Sequence, residues 1–73
     1  MVNVNMLRDA IKNSGHSISS LSSAIGMDES TFYRKLGRKS SSFTVEQANA
    51  IKNELSLSAE SAQRIFFADD RSA

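Results

Sequence analysis

The sequence contains no cysteine and no proline, a single histidine, and no apolar run long enough to cross a bilayer. Each absence excludes something. Without cysteine there is no disulfide framework and no thiolate metal site to supplement the core. That core is small, because a chain of 73 residues buries only roughly 60% of the surface its unfolded form exposes. The opening stretch MVNVNMLRDAIKNSG shows neither a basic leader nor a long apolar segment, so neither a signal peptide nor a membrane span is expected. The reading is of a soluble, cytoplasmic protein. His16 stands in a turn with no second ligand within helical reach, which argues against a metal centre. No glycine-rich phosphate loop is present, and the acids are scattered over caps and surfaces. The serines beside His16 lack a third group or an oxyanion site. No catalytic residue, cofactor or small-molecule substrate is therefore expected.

What is present is an uneven distribution of charge. The net charge is +1, with nine Lys and Arg against eight Asp and Glu. Residues 1 to 45 hold six bases (Arg8, Lys12, Arg34, Lys35, Arg38, Lys39) against three acids (Asp9, Asp28, Glu29), a net of +3. Residues 46 to 73 hold three bases (Lys52, Arg64, Arg71) against five acids (Glu46, Glu54, Glu60, Asp69, Asp70), a net of −2. The positive end culminates in SSAIGMDESTFYRKLGRK, residues 22 to 39.

Strand-like alternation is scarce, and apolar residues recur at spacings of three and four, the pattern of amphipathic helices. A first helix is predicted from about Asn3 to Asn13, with Met6, Leu7, Ala10 and Ile11 on one face and Gly15 ending it. A second follows Ser17 as N-cap. Its inward stripe is Ile18, Leu21 and Ile25, with Ala24 beside them, and it ends at Gly26. A third opens at Asp28, whose carboxylate suits the free amides of a first turn. It turns Phe32 and Leu36 inward and ends at Gly37. GRKSSS then reads as a basic loop. Thr44-Val45-Glu46-Gln47 has capping-box spacing and opens a fourth helix with Ala48, Ile51 and Leu55 inward, Phe43 serving as a staple. Ser58 caps a short fifth helix carrying Ala62, Ile65, Phe66 and Phe67. The expectation is an all-α, compact five-helix domain over residues 1–68, followed by a flexible tail at 69–73.

The connection Gly26-Met27-Asp28 between the second and third helices is so short that the two must cross steeply. That is a helix-turn-helix, spanning residues 17–37, whose second helix can enter a major groove. Leu21, Ile25, Met27 and Phe32 fall where its parts must pack. Ser22 falls where the backbones approach closely and only a small side chain fits.

On Leu21, Gly26, Ser30-Thr31-Phe32 and the later Phe43, Glu46 and Ile51, the run SISSLSSAIGMDESTFYRKLGRKSSSFTVEQANAIKNELSLS resembles the phage-repressor and Cro-like helix-turn-helix family. The resemblance extends over nearly the whole chain. It implies a lambda-repressor-like fold and a role in transcriptional control within a phage lysis/lysogeny switch, in the cytoplasm of a bacterial host. Ser22 stands where alanine is usual. Lys35 replaces a commonly apolar residue, with Leu36 taking over the packing.

Two functional readings follow. In the first, the third helix binds operator DNA. Ser30 and Arg34 contact base edges, the arginine forking onto guanine O6 and N7. Tyr33 lies beside them on the outer face, and Arg38 and Lys39 hold the backbone electrostatically. Lys12, Ser17 and Ser19 are further candidates for phosphate contact. In the second, the chain is an antirepressor or modulator of repression that grips a phage repressor protein through the same surface. Glu29 at the reading end favours it, because a carboxylate that repels phosphate attracts a basic protein patch. Phe66 and Phe67 cannot both face one side of a helix, so one is core and the other a candidate surface for a homodimer or partner.

Overall fold

The computed structural model describes residues 2–37 and 43–67. It holds five helices in the order α1 (Val4–Asn13), α2 (Ile18–Ala24), α3 (Glu29–Gly37), α4 (Val45–Leu55) and α5 (Ala59–Phe66), with no strand among the described residues. Arg38 and Lys39, the rest of the serine-rich loop and the tail at 69–73 lie outside the described residues.

Side chains with a short-range oxygen set where the helices begin. Asn3 accepts from the Met6 amide, Ser17 from Ser20, Thr44 from Gln47 and Ser58 from Ser61. Each satisfies one of the amides that a first turn leaves without a carbonyl. The capping box expected at Thr44 is closed by Gln47 Oε1, which accepts from the Thr44 amide at 3.0 Å. A second box, at Ser17, uses Ser20 where a longer side chain is usual.

The helices end by a common device. After α1, the Gly15 amide donates to Lys12 O and the His16 amide to Ile11 O. After α2, Gly26 and Met27 donate to Ser23 O and Ser22 O, and after α4, Ser56 and Leu57 donate to Asn53 O and Lys52 O. These paired bonds are Schellman closures, which place their first residue in the left-handed region. Gly15 has φ +84°, Gly26 has φ +74°, and Ser56 has φ 56°.

The core is the meeting of the predicted stripes. Leu7, Ile11, Leu21, Phe32, Leu36, Ala48, Ile51, Leu55, Ala62, Ile65 and Phe66 are buried. Ile18, Ile25, Met27 and Phe43 are half-buried against them. One expectation needs correcting. Ala24 faces solvent, because three positions past Leu21 and one short of Ile25 it falls at the edge of the stripe. Of the paired phenylalanines, Phe66 is core and Phe67 is 57% exposed, the division expected of the pair, which leaves Phe67 as the candidate surface residue. The 100° step between neighbours cannot bury both.

Ser22 is the one buried polar residue among those described, and its hydroxyl donates to Ile18 O at 2.7 Å. Its small volume lets α2 and α3 close together. Phe43 does more than staple the start of α4. Its ring lies 5.2 Å from that of Phe32 in α3 and 5.8 Å from that of Phe66 in α5. The first and last helices are joined as well, since the Asn3 amide donates to Ile65 O at 2.7 Å. The radius of gyration, 11.3 Å, is what a close-packed chain of this length has, about 11 Å.

Candidate binding surface of the third helix

With Phe32 and Leu36 turned into the core, the helical period directs Glu29, Ser30, Tyr33 and Arg34 outward, and all four are exposed. Glu29 and Tyr33 lie one turn apart, as do Ser30 and Arg34, so the four make a single patch. Tyr33 is 48% exposed and is one of three large hydrophobic side chains that face solvent among the described residues. Thus the structure brings together four of the six residues assigned to this surface. Arg38 and Lys39 lie outside the described residues.

Local bonds constrain what the patch can offer. The Asp28 carboxylate accepts from the Ser30 amide at 3.2 Å and from the Ser30 hydroxyl. It is the cap of α3, and the Phe32 amide donates to its backbone oxygen at 3.0 Å. The Ser30 hydroxyl and then the Ser30 amide hold the Asp28 carboxyl below its ordinary value, with Arg34 adding a smaller effect. Ser30 has therefore committed its hydroxyl hydrogen inward and faces out as an acceptor. Arg34 Nη2 donates to Thr31 Oγ1 at 3.3 Å, one turn back, which leaves most of the guanidinium fork unused. Glu29 has no charged partner among the described residues.

Lys35 does not belong to the exposed basic run in which its sequence position suggests it. It is half-buried, with Nζ 6.0 Å from the Phe43 ring centroid, a distance at which a cation is attracted to the ring face. Its stem covers the position where an apolar residue is usual.

A second basic locus escaped the sequence reading. Arg8, Lys12 and His16 stand around a hollow of about 280 Å³ whose floor is Ile11 and Ile18. The spacing of four between successive members was the available signal. Lys12 was already a candidate for phosphate contact. Arg8 and Lys12 have no charged partner among the described residues. His16, by contrast, is engaged on both ring nitrogens, with Nδ1 2.9 Å from Ser20 Oγ and Nε2 3.2 Å from Glu54 Oε2. Ser17 uses its hydroxyl in the cap of α2, whereas Ser19 is exposed.

Among the described residues no three His, Cys, Asp or Glu side chains gather as a metal-holding group, and no helix is long and apolar enough to cross a membrane. Compared with protein-family models, curated proteins and solved structures, the chain matches none.

Proposed function

We propose that this chain is a small helix-turn-helix regulator of transcription, lambda-repressor-like in fold, that binds DNA through α3. The observation that carries the reading is the α2–turn–α3 unit. Two short helices close over the small buried Ser22 and leave an outer face of Glu29, Ser30, Tyr33 and Arg34 that is exposed among the described residues. A helix presented in this way fits the major groove. Arg34 supplies a forked donor for a guanine edge, and Ser30 accepts from an exocyclic amine. Tyr33 and the Arg8–Lys12 pair supply backbone contacts, with Arg38 and Lys39 beyond the end of α3. The resemblance to phage repressors and Cro-like proteins supports a role for such a regulator in a phage genetic switch.

A specific feature favours a second reading, in which the same patch grips a phage repressor protein and blocks its DNA-binding surface. The cap and the first residue of α3 present two carboxylates, Asp28 and Glu29. Hydrogen bonds from Ser30 favour the ionised form of Asp28. Phosphate disfavours such a doublet, and a basic protein surface rewards it.

Titration against mixed-sequence duplex DNA at low and moderate salt separates the two, using wild type and Glu29→Gln. For a DNA reader we expect micromolar or tighter binding that weakens with salt and strengthens in the Gln variant. With only three or four phosphates neutralised, the log–log salt slope should be roughly −3. Failure of both proteins to bind at low salt would rule out DNA recognition. Binding to the isolated DNA-reading domain of a phage repressor, lost on Glu29→Gln, would then establish the protein partner.

A further inference from the structure

Most cations among the described residues have an occupation. Arg64 is bonded to Glu60, Arg34 to Thr31, and Lys35 lies over the Phe43 ring. Lys52 is the sole cation of α4. Arg8 and Lys12 are different. Both are exposed, and neither has a hydrogen bond or ion pair among the described residues. They stand one turn apart on one face of α1, about 6 Å along its axis. Like charges at that spacing repel each other. The acids nearby bring no relief. Asp9 lines a different hollow, with Met6, Ala10 and Leu57, and Glu54 is engaged with His16 Nε2 at 3.2 Å.

What lies beside the two cations matters as much as their charge. Arg8, Ile11 and Lys12 occupy positions i, i+3 and i+4 of a helix, and Ile18 of α2 joins Ile11 in the floor of the hollow of about 280 Å³. Ile18 is half-buried, so part of an aliphatic side chain stays in water between α1 and α2. A phosphate backbone answers the charges and offers nothing to the isoleucine. A carboxylate-bearing helix answers both. Acids at i and i+4 of a second helix have the same spacing as Arg8 and Lys12, and an aliphatic residue at i+3 falls on the same face as those acids.

We propose that the α1–α2 hollow is a docking site for an acidic amphipathic helix of a partner protein. Two carboxylates one turn apart pair with Arg8 and Lys12, and an aliphatic side chain between them covers Ile18. The proposal goes beyond the reading of α3 and shares with it only the Arg8–Lys12 pair, which a docked helix withdraws from phosphate. DNA binding carried by α3 survives its failure, because the probe below contains no nucleic acid.

Fluorescence anisotropy of the full chain with a labelled, alanine-based helix carrying one Glu-x-x-Leu-Glu set tests it. The expected dissociation constant lies between about 10 μM and 1 mM. A copy with glutamine in place of the leucine should bind about 10-fold more weakly, since it covers the floor with a polar group. Ile18→Thr, which keeps the branched shape, should erase most of that preference. The decisive arm reverses the charge. Arg8→Glu with Lys12→Glu should lose the acidic helix and take up a copy in which lysines replace both glutamates, again only with the leucine present. Both variants are first verified as folded by circular dichroism. Absence of binding below about 1 mM would overturn the proposal, as would equal affinity for the leucine and glutamine copies. A charge-reversed protein that binds the acidic helix as wild type does would also overturn it. If neither protein bound the acidic helix, and a mixed-sequence duplex bound wild type but not the charge-reversed protein, the pair would belong to phosphate instead.

Discussion

Ser56 closes α4 with φ 56°, doing with a side chain what Gly15 and Gly26 do without one. A Cβ placed at either glycine would meet no atom within 4 Å, so it is the backbone angle alone that selects glycine there. Holding an L-residue in the left-handed region costs roughly 1–2 kcal/mol. Glycine gives part of that back through its extra freedom when unfolded. Ser56→Gly should therefore stabilise the domain by about 0.5–1 kcal/mol and raise the melting midpoint by about 3–6 °C. An unchanged or lower midpoint would show that the Ser56 side chain contributes something the backbone argument omits. Asp28 makes a different test. Its carboxyl titrates lower in the folded chain than in the unfolded one. The stability it confers is thus present above the ordinary carboxylate range and is lost as pH falls through the folded value. Asp28→Asn should lower the midpoint at pH 7, and the gap from wild type should narrow as the pH is taken below about 4. A gap that stays constant down to pH 2 would mean that the charge of the cap is irrelevant.

At the scale of elements, Phe43 joins helices that are distant in sequence, lying between Phe32 of α3 and Phe66 of α5 while Lys35 covers its ring. For a half-buried aromatic in three such contacts, Phe43→Ala should cost about 2 kcal/mol. Phe43→Leu should recover more than half of that, as read from urea unfolding midpoints. Equal losses would indicate that ring geometry rather than buried apolar volume holds α3 against α5. Phe43 also marks where the sequence stops being legible. Helix starts at Ser17, Thr44 and Ser58 and the stripes of Leu7, Ile11, Phe32, Leu36 and Ile51 could be read directly, because a cap and a helical face depend on residues within a turn or two. The outer face of α3 followed, being the complement of Phe32 and Leu36. What depended on distant residues did not follow. The contact of His16 with Glu54 spans 38 positions. The hollow beside Arg8 and Lys12 needs Ile18 from the next helix to give it a floor. Nothing local ranked Phe66 above Phe67 as the core residue. The withdrawal of Lys35 from the basic run was equally hidden, since it requires the Phe43 ring beneath it.

The whole molecule is an electrical dipole in sequence, +3 over residues 1 to 45 and −2 over 46 to 73. The cations of α1 and α3 belong to the positive half, which carries the surface proposed to bind DNA. The groove between α4 and α5 belongs to the half with the excess of acid. The bond from the Asn3 amide to Ile65 O has a consequence of another kind, for the order in which the molecule can come into being. The first helix is made before the fifth, whose carbonyl receives the amide of the first helix's cap. A nascent chain on the ribosome therefore cannot complete α1 in its final surroundings until Ile65 has emerged.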